Sequence, residues 1–118
     1  MSRFTGLWGE AQVASYLRKR GYRILAHGYR CRFGEIDLIA QKGDTVCFVE
    51  VKTRSDTEHG LPREAVTPQK QEKLRKTALF YLSANEMECP ARFDVAEVYT
   101  KAQHDLAGGH IEYLENAF

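Results

Sequence analysis

Apolar residues fall at helical spacing from Trp8 to Arg20, with Val13, Ala14 and Leu17 along one stripe and Gly21 as a C-terminal stop. The pattern then shifts to short runs. Tyr22 to Tyr29 predicts a first strand, and Arg30-Cys31-Arg32-Phe33 leads into two runs rich in branched apolar residues, Ile36–Ala40 and Val46–Val51. Gly43-Asp44 between those runs signals a two-residue hairpin turn. A polar stretch from Ser55 to Glu64, with His59-Gly60 and Pro62, reads as a loop beside the hairpin and a candidate substrate contact. Thr67 then has the character of an N-cap with Pro68 at the first helical position, opening a helix to about Ala84 with Leu74, Ala78, Tyr81 and Leu82 inward. Phe93–Tyr99 and His110–Leu114 supply two more strands, separated by Asp105 to Gly109. The expected fold is α/β in the α+β sense, as one domain over residues 1–118. Its order is helix, three-strand antiparallel meander, helix and further strands, with a mixed sheet flanked by helices.

A turn centred on Gly43-Asp44 sets Lys42 opposite Thr45 and, counting outward, Asp37 opposite Glu50 and Glu35 opposite Lys52. Side chains alternate along a strand, so Glu35, Asp37 and Ile39 share a face with Phe48, Glu50 and Lys52. Ile36, Leu38, Ala40, Val49 and Val51 take the other face, which reads as the core side. Two carboxylates set opposite each other across strands repel. Such local conflicts concentrate at functional sites. A hard divalent cation such as Mg2+ would resolve this one by taking carboxylate oxygens while keeping several waters. A plain alternative is the solvated face of an amphipathic hairpin, with Lys52 neutralising its acidic neighbours.

Two further charged residues stand in apolar company. Glu10 precedes Val13, Ala14 and Leu17 by three, four and seven positions, in the middle of the helix stripe. A buried carboxylate needs a partner, either an Arg or backbone amides, or the same cation as Asp37 and Glu50. Lys70 aligns with Leu74, Thr77 and Ala78 near a helix N-terminus, where the dipole disfavours a cation. Contact with a phosphate would account for it and for Gln69 beside it; a solvated first turn is the alternative.

Composition narrows the class without naming it. The 118 residues carry 43% hydrophobic and 28% charged positions, ordinary for a globular domain. No apolar run is long enough to span a membrane and the N-terminus lacks a secretory core, so a cytoplasmic protein is expected. Three cysteines, Cys31, Cys47 and Cys89, have no CxxC spacing and suit a reducing compartment, and the four histidines show no metal-ligand spacing. Net charge is only +1, but residues 1–32 carry seven basic residues against the single acid Glu10, and from Glu86 onward seven acids stand against only Arg92 and Lys101. That asymmetry predicts one basic surface for a polyanion and one acidic surface in water.

Glu10 on a first helix, Asp37 on one strand and Glu50-Val51-Lys52 on the next resemble the PD-(D/E)XK nuclease superfamily. Its pattern is an acidic residue followed, after a spacer, by Glu-x-Lys or Asp-x-Lys on the neighbouring strand, and it includes restriction endonucleases and archaeal Holliday junction resolvases. More narrowly, the chain resembles the YraN-like family of small bacterial proteins. That resemblance rests on GEAQVASYLRKRGYRIL, GEIDLIA, FVEVKTR, TPQKQEKLRK, RFDVAEV and the terminal NAF. Ile36, not Pro, precedes Asp37, a departure shared by many members of the superfamily.

The resemblance implies a restriction-endonuclease-like core in which Asp37, Glu50 and the carbonyl of Val51 hold Mg2+ or Mn2+. Glu10 would be a further ligand, directly or through water, and Lys52 would position the attacking water and offset phosphate charge. Glu35, Asp37 and Glu50 are expected to hold the Lys52 ammonium charged, which argues against a free general base. Arg32, Arg54, Gln69, Lys70 and Lys73 are the candidate nucleic-acid contacts. The expected activity is hydrolysis of phosphodiester bonds in DNA, with branched or junction DNA suggested by the resolvase-like members, whose dimers also leave a homodimer open. The alternative is a non-catalytic nucleic-acid-binding or adaptor domain that keeps the fold.

Overall fold

A computed structural model describes residues 3–55, 66–100 and 110–118. Helix α1 spans Arg3–Lys19, strands β1, β2 and β3 span Arg23–Cys31, Gly34–Lys42 and Thr45–Ser55, helix α2 spans Pro68–Ala84, and β4 and β5 span Ala91–Thr100 and His110–Leu114. The strands form one sheet in the order β1-β2-β3-β4-β5. All neighbours are antiparallel except β3 and β4, which run parallel. A parallel pair needs a crossover, and α2 lies in it. The fold is therefore α+β with a mixed sheet, compatible with a restriction-endonuclease-like core.

Local chemistry explains the element ends. Gly21, at φ +88, donates to Arg18, and Tyr22 donates to Leu17 at 3.0 Å, so the last carbonyls of α1 are capped by a left-handed glycine. The helix begins five residues before the expected Trp8. At the hairpin, Lys42 faces Thr45 and Gly43 has φ +60 while Asp44 stays at negative φ, the pattern of a type II′ turn. Thr67 caps α2 by accepting the Lys70 amide, and Pro68 follows at the first position.

Both sheet faces are covered. Val13, Ala14 and Leu17 of α1 pack on Leu38, Ala40, Cys47, Val49, Ala96 and Val98. Leu74, Ala78 and Tyr81 of α2 pack on Ile36, Ile39, Val46, Phe48 and Val95 on the other side. This corrects the expected division into a core face and a charged face. Ile39 and Phe48 are as buried as Leu38 and Val49. Ile36 joins the α2 cluster rather than its predicted companions Leu38 and Ala40. The physical reason is the crossover helix, which gives the central strand β3 a second apolar layer and needs an apolar run, Val46-Cys47-Phe48-Val49, to meet it.

Glu86, Glu88, Glu112 and Glu115 of the acidic C-terminal third are exposed as expected, but Asp94 and Glu97 are buried. Asp94 is fully buried and takes two bonds from Arg92 Nε at 3.1 Å, one from Tyr113 at 2.6 Å and one from the Asn116 amide at 3.0 Å. Arg92 in turn donates to the Tyr22 hydroxyl at 2.6 Å. This satisfied network ties β4 to the end of α1 and to the residues after β5. Phe118 stacks on Phe93 with centroids 5.2 Å apart, and the Ala117 amide donates to the Phe93 carbonyl, so the terminal residues cap the α2-side core. Cys31, Cys47 and Cys89 are free thiols. Among the described residues, no helix is long and apolar enough to cross a membrane. The expected Ser55–Glu64 and Asp105–Gly109 connections lie outside the described residues, apart from Ser55 at the end of β3.

Candidate functional site

The site forms where the hairpin opens. The β2–β3 pairing runs from Lys42–Thr45 to Leu38–Val49 and goes no further, so Asp37 and Glu50 stand one step beyond the last paired residues. Asp37 Oδ2 accepts the Val51 amide at 2.8 Å, and a carboxylate stands where a strand partner's carbonyl is expected. The opposition of Glu35 and Lys52 therefore does not form part of the ladder. Glu35 instead pairs with Arg30 at 3.0 Å on the surface.

Glu50 is the buried member. Only 8% of its surface is exposed, and its Oε2 has no hydrogen-bond partner. Burial and the Asp37 carboxylate push its carboxyl up to about 7, against the opposing pull of Lys70 and Lys52. Lys70 Nζ lies 3.3 Å from Glu50 Oε1. Lys70 thus turns inward to a carboxylate, from the position where a phosphate contact was expected. Two ammonium groups now share one corner, and the more buried yields. Lys52 is held below the ordinary lysine range by burial and by Lys70, despite Glu50 and Asp37. Burial pulls Lys70 down as well, but its contacts with Lys52, Glu50 and Asp37 carry it above that range. The direction at Lys52 is the reverse of the sequence expectation, because burial, joined by a second cation that arrives from α2, outweighs the carboxylates.

Glu10 approaches from the opposite face of the sheet. Burial, Asp37 and Glu35 raise its carboxyl to about 6. What brings it there is its neighbour Gly9, fully enclosed beside β3: a Cβ at Gly9 would run into Thr53 Oγ1. A glycine inside a helical pattern usually has such a packing reason, and this was the legible sign of close approach. Asp37 is the common neighbour, felt by Glu10 on one side and Glu50 on the other.

Among the described residues, no group of three His, Cys, Asp or Glu side chains is close enough to hold a metal ion. The carboxylates that meet are two, Asp37 and Glu50. Two carboxylates, one carrying a buried oxygen without a partner, suit a hard cation that keeps several waters. With the Val51 carbonyl they would form its protein ligands, and Glu10 would reach it through water.

The other predicted contacts separate into two groups. Arg54 bonds Glu97 at 2.6 Å, and Glu97 is buried, its carboxyl raised by that burial. Glu97 stands opposite Lys52 in the β3–β4 register and was missed from sequence, since nothing local marks a strand carboxylate as buried. Gln69 is exposed on the first turn of α2. Arg32 and Lys73 line an open cleft of about 540 Å3 together with Arg30, Cys31, Phe33, Gly34 and Glu35.

Residues 9–98 match the model of the Uncharacterised protein family UPF0102. The chain belongs to that family. It is the YraN family to which the sequence segments pointed. A UPF0102 protein of Syntrophus aciditrophicus is 50% identical over 115 residues, covering 97% of this chain and 87% of the relative. One from Syntrophomonas wolfei is 44% identical over 119 residues and covers both chains fully. A third, from Chlorobium chlorochromatii, is 45% identical over 115 residues, covering 96% of this chain and 89% of its own. The family match takes in Glu10, Asp37, Glu50, Lys52 and Lys70 together, so the site lies within the portion that defines membership.

Proposed function

We propose that this chain is a divalent-cation-dependent nuclease that hydrolyses phosphodiester bonds in DNA. The observation that supports it best is the meeting of Asp37 and Glu50 at the open end of the hairpin, with the buried Glu50 Oε2 lacking a partner. A carboxyl pushed up to about 7 beside a second carboxylate is costly to hold in its charged form, and Lys70 offsets only part of that cost. It makes sense as a site for a cation. Mg2+ or Mn2+ held there would polarise a phosphoryl oxygen and make bound water more acidic.

The chain's own groups supply the rest. Lys52 stands beside the pair, where it would position the attacking water and meet charge developing on the phosphate. Its depressed basicity also removes the ground on which proton transfer was set aside for it. Lys70 would exchange Glu50 for a phosphate oxygen when a cation takes over the carboxylate. Branched DNA is the substrate shape that the resolvase resemblance favours, and paired cuts at a symmetric junction would call for a homodimer. Three free thiols suit a reducing cytoplasm.

A second reading has its own observation. Lys70, 3.3 Å from Glu50, already balances the pair without a metal, as a nucleic-acid-binding adaptor that kept the fold would require. One experiment separates the two: incubation of labelled duplex, single-stranded, flap and four-way-junction DNA with Mg2+ or Mn2+, with Asp37→Asn as control. Cleavage by wild type alone supports the nuclease. Salt-dependent binding without cleavage supports the adaptor, and equal cleavage by Asp37→Asn refutes the assigned chemistry.

A further inference from the structure

The cleft next to the site has a composition that the hydrolytic reading does not use. It lies between the β1–β2 turn and α2, with Arg30, Arg32 and Lys73 on its walls against one acid, Glu35. Arg30 already neutralises Glu35 at 3.0 Å. Among the described residues, neither Arg32 nor Lys73 has a carboxylate partner. One aromatic residue, Phe33, lines the cleft, with Phe80 packed against it. Arg32 places its guanidinium carbon 4.8 Å from the Phe33 centroid, and Phe33 meets Phe80 at 5.9 Å in an edge-on arrangement. Phe80 remains 39% exposed. Close seating of α2 holds this platform, since a Cβ at Gly34 would stand 3.1 Å from Thr77 Oγ1.

Distance along the elements connects the cleft to the carboxylates. Phe33 precedes Asp37 by four residues, ~13 Å of extended chain. Phe80 follows Lys70 by ten residues, ~15 Å of helix. Lys73 stands one turn beyond Lys70, so cations mark the way from Glu50 to the aromatic pair.

Unpaired bases are held by this combination, cations for the backbone and exposed π faces for the bases. A stacked duplex presents no free base face to a ring at its flank. We propose, building on the nucleic-acid reading above, that the cleft is a subsite for an unpaired nucleotide, its base stacked on the Arg32–Phe33 pair and its phosphate held by Lys73. The substrate class is then DNA with a single-stranded segment reaching the site, such as a flap or a frayed branch, in preference to a continuous duplex.

The test is fluorescence anisotropy in EDTA, where no hydrolysis occurs, with the full chain and three labelled probes. These are a short single strand, the same strand built of abasic residues, and the blunt duplex. Wild type should bind the base-bearing strand about tenfold tighter than the abasic one, the scale of one stacked base. Phe33→Leu keeps the apolar volume but removes the π face, and should erase that ratio while urea melting stays unchanged. Lys73→Gln should weaken both strands alike. A ratio near one in wild type, or one that survives Phe33→Leu, overturns the subsite. If duplex still binds in a salt-dependent way, the proposed nuclease reading stands without it. Failure to bind any of the three probes overturns the subsite and leaves the platform to a protein partner, while the nuclease reading is decided separately by the cleavage assay.

Discussion

Replacing Glu50 with Gln removes one of two neighbouring carboxylates at nearly constant volume. A carboxyl carried from 4.5 to about 7 in the fold corresponds to a penalty of about 3 kcal/mol on its charged form, at roughly 1.4 kcal/mol per pH unit. The folded state holds the proton more tightly than the unfolded state. Stability should therefore be greatest below the ordinary glutamate range and fall as pH rises through about 7. Glu50→Gln abolishes this dependence. The pull of Lys70 on the charged form is already contained in that penalty, so losing the ion pair subtracts nothing further. The variant should thus be more stable than wild type by about 3 kcal/mol at pH 8, with the difference vanishing near pH 4.5. Urea midpoints across that range, at constant slope, read it directly. Adding Mg2+ at pH 8 should stabilise wild type and not the variant. A difference that is flat with pH, or wild type gaining on the variant as pH rises, would refute the reading of Glu50 as a carboxylate held against its preference.

Two structural predictions accompany it. Gly9→Ala gains up to ~1 kcal/mol of helix propensity but overpacks against Thr53 at a cost of about 1–3 kcal/mol. It should destabilise wild type and stabilise the Thr53→Ala background, and a double-mutant cycle showing no coupling would remove Gly9 as the close-approach point. Asp94→Asn takes the charge from a fully buried carboxylate that Arg92, Tyr113 and Asn116 all address. It should cost about 3 kcal/mol, and a loss below ~1 kcal/mol by urea melting would mean that the network is not a buried ion pair in effect.

The legible features were those whose cause lies within a few residues. Gly21, Gly43-Asp44 and Thr67-Pro68 mark turns and caps through their own backbone requirements, and the structure uses each as expected. The stripe through Val13, Ala14 and Leu17 located Glu10 among buried neighbours, and alternation set Asp37 and Glu50 together. What was not legible came from chain distant in sequence. Lys70 reaches Glu50 only because α2 crosses over the sheet, and it there adds to the burial that reverses the expected direction at Lys52. Covering of both faces was written in Val46-Cys47-Phe48-Val49, an unbroken apolar run that a hairpin with one wet face would not need. Arg92 and Asp94, two apart on one strand, give no local sign that they are a core pair rather than surface charges.

The Val51 amide is bonded to the very carboxylate that would receive a cation. That gives the site an internal reporter. A hydrogen-bonded amide exchanges slowly with solvent deuterium and resonates downfield, and both properties respond when its acceptor shares electron density with a metal. One backbone signal, observable without substrate, label or turnover, therefore records how Asp37 is engaged, and can be followed through a titration of Mg2+, Mn2+ or DNA. Position 51 leaves its side chain out of this bond, so the reporter survives substitutions made at Glu10, Glu50, Lys52 or Lys70 and can rank their effects on one scale.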